Sequence, residues 1–191
     1  MILSPLVLET ALGALLVVVF VMTLVDPSRG RGAGWIATLG VLVLLGLSML
    51  LAPSGAALGG MFLQDGLAIF AKRLFLAATF IGLLAGLAGG RDGVVRRAGE
   101  YHLLLLTSLL GMLLLASARD LILLFVAFEL MSLPLYVLAG FRKRDAAAVE
   151  AALKFFLVGS VSSAVMAYGL SFVYGAARTT SLDGVARAMS T

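Results

Sequence analysis

Cysteine is absent from the 191 residues, which excludes disulfides and thiolate-bound metals. Histidine occurs once, as His102, and no group of His, Asp and Glu stands at ligand spacing, so no metal site is expected. Charged residues make up only 13% of the chain, well short of the quarter or so found in soluble domains. The 14 basic residues fall in short groups between apolar runs. A nucleic-acid surface needs a continuous basic face, so nucleic acid is not an expected partner. No nucleophile–base pair stands out. The stretch Gly30-Arg31-Gly32-Ala33-Gly34 is rich in glycine but follows no strand, and a nucleotide fingerprint needs one. No cofactor is therefore expected.

What fills the chain instead is apolar: 62% of residues are hydrophobic and the mean hydropathy is +1.13. This composition belongs to an integral membrane protein, and the lipid bilayer is its expected surroundings. Six long apolar runs predict six spanning helices over about 5–25, 35–52, 67–89, 102–118, 121–141 and 147–176. In hydrocarbon every backbone polar group needs a partner inside the protein, which leaves helices or closed barrels. The runs do not alternate as barrel strands do, so the expected fold is all-α, a polytopic transmembrane bundle forming a single membrane domain over 1–191. The first run lacks the basic start of a signal peptide and is read as a retained helix. Asp26-Pro27-Ser28 ends it, because proline cannot continue the hydrogen-bond ladder. Residues 56–66 read as a weakly polar connection, and the tail from Arg178 as polar and without a fold of its own.

Eight basic residues lie in the first, third and fifth loops: Arg29, Arg31, Arg91, Arg96, Arg97, Arg142, Lys143 and Arg144. The loops on the other side up to the sixth helix hold only Arg119. Positive-inside then predicts a cytoplasmic membrane with both termini of this stretch on the outer side. Lys72 and Arg73, in the first turns of the third run, are expected to snorkel to headgroups, and Glu9 to be hydrated. Small residues recur every fourth position at Gly82, Gly86 and Gly90 and again at Gly159, Ser163 and Ala167, where other helices can come close.

Glu129 is the group that asks for a function. A charge at the centre of a spanning helix costs about 3 kcal/mol, whereas each Leu, Ile, Phe or Val returns roughly 0.3 to 0.6 kcal/mol. Thirteen such residues between Leu121 and Phe141 carry the carboxylate in. Counting at about 1.5 Å per residue from Arg119 and Arg142 puts it near the bilayer midplane. Ser132 and Tyr136 share its helical face, and Pro134 frees the carbonyl of Leu130 in the same turn. Lys154 on the sixth helix is expected within several ångströms of the same depth, as a partner in proton exchange. Glu150, four residues before it, is the alternative partner. His102, at the start of the fourth helix, is a lesser candidate for collecting protons. The plainer alternative for all of these is a scaffold whose ion pairs only fix packing.

The run EYHLLLLTSLLGMLLLASARDLILLFVAFELMSLPLYVLAGFRKRD, followed by EAALKFFLVGSVSSAVMAYGLSFVYGA, resembles the antiporter-like subunit N of respiratory complex I, called subunit 2 in organelles. The ordered set is specific: a glutamate in FELMSLPLY, a basic loop, EAALK, then YGA. The resemblance implies proton translocation driven from a distance by electron transfer from NADH to quinone in other chains. It implies no redox centre here, and it implies the other membrane subunits as partners, a neighbouring antiporter-like subunit first among them. It assigns Glu129 and Lys154 to the proton relay. Phe155 stands where the family usually has tyrosine. The family continues well past a sixth helix, so the stretch is expected to be the N-terminal portion of a longer protein or half of a split one. A subunit of a cation/proton antiporter or of a membrane-bound hydrogenase is the related alternative.

Overall fold

The computed structural model describes residues 4–25, 30–51, 53–88 and 98–190. Six helices long and apolar enough to cross a membrane account for most of them: α1 (Val7–Val25), α2 (Gly30–Leu50), α3 (Gly66–Ala88), α4 (Ala98–Ala116), α5 (Leu121–Ala139) and α6 (Ala146–Ala177). The chain is a multi-pass membrane protein. Loop residues Asp26 to Arg29, together with Gly90, Arg91, Arg96 and Arg97, lie outside the described residues.

Helix α2 begins at Gly30 rather than at Trp35, because its glycine-rich start is a packing surface and not a loop. Gly34 rests on the His102 ring of α4, where a Cβ would come within 2.8 Å of Cε1. Helix α4 likewise begins at Ala98, before the expected 102, with Gly99 set against Thr23 of α1. Of the small-residue positions, Gly86 lets Tyr101 of α4 come close and Gly159 receives Tyr136 of α5.

Helices α1 to α4 share one core of Leu12, Val19, Ala37, Val41, Leu76, Leu83, Leu106, Leu109 and Leu113. Helix α5 lies on α4, and the two backbones meet at Gly111, whose missing side chain makes room for Leu130 and Met131. Ser108, fully buried, donates to the Met131 carbonyl at 2.9 Å across the same contact. Helix α6 is outermost. It packs on α5 and has no fully buried residue of its own.

Between α2 and α3 the expected weakly polar connection is a β-hairpin. β1 (Gly55–Ala57) pairs antiparallel with β2 (Phe62–Gln64), and the turn uses positive φ at Leu58, Gly59 and Gly60. The hairpin is fastened to the turn between α4 and α5, since Leu63 N–H donates to Ser117 O at 2.8 Å and Arg119 N–H to Met61 O at 2.8 Å. In that turn Asp120 caps α5 by accepting from the N–H groups of Ile122 and Leu123. The segment after α6 joins the same layer. Arg178 turns left-handed at φ 56°, Leu121 N–H donates to Thr180 O, and Leu182 N–H donates to Arg119 O.

The tail was expected to lack a fold, and this is corrected: Leu182–Met189 forms α7. Leu182, Val185, Ala186 and Met189 share one face of it, and Asp183 and Arg187 suit the dipole at its two ends. The hairpin, the turn 117–120 and the segment after α6 thus meet at one end of the bundle, called here the hairpin face. The opposite end carries Arg142, Lys143 and Arg144 and is the basic face.

Replacing Gly111 with Ala is expected to destabilise the fold by about 1–3 kcal/mol, because its Cβ would meet Met131 Cα at 2.7 Å and Leu130 C at 2.8 Å. Gly46→Ala, with nothing within 4 Å of the added carbon, is expected to be neutral. Thermal unfolding of the two variants in detergent checks the difference.

Candidate functional site

Helix α5 is continuous through Pro134 and carries Glu129 near its middle. Glu129 Oε1 is buried and has no hydrogen-bond partner in the structure. The neighbours expected to make a polar stripe are otherwise engaged. Ser132 is buried and donates to Phe128 O at 2.7 Å within its own helix. Tyr136 reaches across to α6, where its hydroxyl sits against Gly159 and its ring meets Phe155 and Phe156 edge-on at 4.7 and 5.9 Å. Phe155, the departure from the family pattern, is therefore the ring that packs on Tyr136.

The structure does not bring Lys154 to Glu129. Lys154 Nζ pairs with Glu150 Oε1 at 2.5 Å, one turn away on α6, and both side chains are exposed. The reason is register. Gly159 is level with Tyr136, and Ala152 with Gly140. Extending these two pairings along the antiparallel helices sets Lys154 beside the end of α5. Glu129 then lies about ten residues away along the axis, roughly 15 Å. The equal depth expected from the sequence assumed that both helices start at one level. Helix α6 instead runs past α5 on the basic side.

His102 is also placed differently from its expected interfacial position. It is fully buried in the second turn of α4, between Gly34 of α2 and the neighbouring Tyr101 ring. Nearby, a crevice of about 310 Å³ opens between α4, α5 and α6 on the basic face. Glu100 and Lys143 line it together with Tyr136, Gly140, Phe141 and Ala152.

A second polar group lies at the hairpin face and corrects the snorkelling expectation. Lys72 is 0% exposed and Glu9 is 5% exposed, and their Nζ and Oε1 atoms are 2.6 Å apart. Lys72 also donates to Gln64 Oε1 at 2.6 Å and sits 4.6 Å from the centre of the Phe62 ring. Gln64 Nε2 donates in turn to Pro53 O at 2.9 Å, which fixes the amide with its oxygen toward Lys72. The hairpin folds over the first turns of α3 and takes away the water that Lys72 was expected to reach. Arg73 is half-buried and donates to Ser48 O at the end of α2. The pairing had a sequence signal: by the positive-inside topology, Glu9 and Lys72 enter the membrane from the same side.

No group of His, Cys, Asp and Glu able to hold a metal occurs among the described residues.

Residues 118–191 match the family described as NADH:quinone oxidoreductase/Mrp antiporter, TM. Subunit N of the NADH-quinone oxidoreductase of Anaeromyxobacter sp. is 43% identical over 180 residues, covering 91% of this chain and 34% of that protein. Subunit N of the F(420)H(2) dehydrogenase of Methanosarcina mazei is 38% identical over 196 residues, covering 98% of this chain and 39% of that one. Among solved structures, a chain of respiratory complex I from Thermus thermophilus, with bound aureothin, superposes with a TM-score of 0.75 at 32% identity. That match covers 92% of this chain and 38% of the other. The chain spans about a third of the length of the curated relatives it matches. It is a relative of the antiporter-like N subunits of NADH-quinone oxidoreductase, with their transmembrane helical fold.

Proposed function

We propose that the chain takes part in proton translocation within a membrane-bound NADH-quinone oxidoreductase, with Glu129 holding the proton in mid-membrane. One observation carries this reading: a carboxylate eight residues from one end of α5 and ten from the other has a buried oxygen without a hydrogen-bond partner. An intramembrane ionisable group is costly to keep, and retention under that cost points to use. Glu150 and Lys154, paired beside the basic end of α5, stand on the side from which protons would be taken up. Tyr136 stands between them and Glu129, at the wall of the crevice that opens near Glu100 and Lys143. His102 is a secondary carrier at the same end of α4.

In this reading the electron transfer belongs to other chains. The partners are the remaining membrane subunits, with a neighbouring antiporter-like subunit closest. The membrane is the bacterial inner membrane, with the basic face toward the cytoplasm and the hairpin face outward. A second reading places the chain in a complex with a different electron donor. It is favoured by the likeness to the F(420)H(2) dehydrogenase subunit, which extends over 98% of this chain.

Replacing Glu129 with Gln is expected to leave the complex assembled while proton translocation in vesicles falls to a small fraction of the wild-type rate. Normal translocation with altered assembly would instead identify a packing role for the acid. Replacing Lys154 with Met is expected to slow translocation less than the change at Glu129, because Lys154 is already paired with Glu150 and lies away from the mid-membrane acid. Orientation has its own check, helped by the absence of native cysteine. Lys143→Cys is expected to react with a membrane-impermeant thiol reagent only from the cytoplasmic side, and Met189→Cys only from outside.

A further inference from the structure

We infer that Glu9 and Lys72, bridged to Gln64, form a second proton-holding site, closed over by the β-hairpin and separate from the groups on α5 and α6. The inference goes beyond the reading proposed above, and its readout requires no pumping.

Both partners are buried in the protein at the hairpin face, Glu9 in the first turn of α1 and Lys72 in the second turn of α3. Packing alone does not call for charges there, since well-packed apolar residues commonly hold such a contact as well as a buried ion pair does. The hydrogen-bond inventory leaves room for a movable proton. An ammonium has three N–H donors and an amine has two. Lys72 faces two acceptors, Glu9 Oε1 and Gln64 Oε1, each at 2.6 Å. When the proton passes from Nζ to Oε1, an N–H bond breaks and an O–H bond forms, and the ion pair becomes a neutral pair. The amine then accepts from the new O–H and still donates to Gln64. Gln64 cannot compete for the proton and cannot turn away, because its Nε2 is held by Pro53 O. Glu9 keeps spare capacity: Oε1 has only the ion contact, and Oε2 is buried with no hydrogen-bond partner.

Few other charges act on the pair. Glu9 is the only charged residue of α1, and Arg31, the only one of α2, lies at the far end of that helix. The Asp65 carboxylate also acts on Lys72, but it caps α3 through Ala68 N–H and pairs with exposed Arg119 at 3.5 Å. Arg73 is turned to Ser48. Phe62 and Gln64, both on β2 and both buried, lie directly against Lys72 and shield it from water. That strand is tied to the turn whose Asp120 caps α5.

The test is an infrared pH titration of the protein in its native membrane assembly. A carboxylic-acid band that titrates with pH is expected to disappear in Glu9→Gln and to remain in Glu129→Gln. In Lys72→Gln it is expected to be displaced, because the carboxylate loses the cation it touches. If Glu9→Gln fails to assemble, Glu9→Asp keeps an acid one methylene shorter and must displace the same band. The inference is overturned if no titrating band responds to substitution at position 9, which would make the pair a permanently charged clamp. It is equally overturned if the responding band vanishes in Glu129→Gln. Loss of translocation in Glu129→Gln is a separate result and bears only on the α5 reading.

Discussion

Hydrocarbon supplies no hydrogen-bond donor or acceptor, and most of the architecture follows from that one constraint. Inside the apolar layer the backbone is helical wherever the structure describes it, and the irregular backbone gathers at the ends. At the hairpin face the hairpin, the turn 117–120 and the segment after α6 satisfy one another in a small ladder. That ladder sets the starting levels of α3 and α5, which carry Lys72 and Glu129. Exposed salt bridges such as Arg119 to Asp65 and Asp183, at 3.5 and 3.7 Å, add little beside it, since pairs in water contribute about 0–1 kcal/mol.

The same constraint separates two kinds of ionisable group. Glu9 and Lys72 are enclosed and in ion contact with each other, with an amide held in place between strand and helix and one carboxylate oxygen left without a hydrogen-bond partner. Glu129 is partly enclosed and its buried oxygen is unmatched. Glu150 and Lys154 are matched but open. In the proposed reading, a proton taken up at the basic face meets the Glu150–Lys154 pair first, then the phenol of Tyr136, then Glu129. The enclosed pair stands apart at the other end of the bundle.

The six helices were legible because long apolar runs have few alternatives in a membrane. Glu129 was legible because a carboxylate among thirteen aliphatic and aromatic residues is conspicuous. What escaped were features set by neighbours. The hairpin was hinted at by Gly59-Gly60 between apolar residues, but its pairing partners lie in the turn between α4 and α5. Helix α7 had the spacing of Leu182, Val185, Ala186 and Met189, hidden by the polar composition of its surroundings. Lys72 looked like an anchoring residue because nothing local shows that a hairpin will cover it. The Lys154 register was out of reach for a related reason: counting residues from a loop gives depth only when both helices begin at the same level.

Helix α6 has 32 residues, about 48 Å at 1.5 Å per residue, whereas the oily layer of a bilayer is about 30 Å thick. A rod so much longer than its solvent is deep must lean, thicken the lipid around it, or hold its polar first turns beyond the oily layer. Acyl chain length then becomes a physical control on this protein. Shorter lipids push the amine of Lys154 outward among phosphates, and longer ones draw it toward the tails. The surroundings of the Glu150–Lys154 pair are thereby tied to the fatty-acid composition of the host membrane.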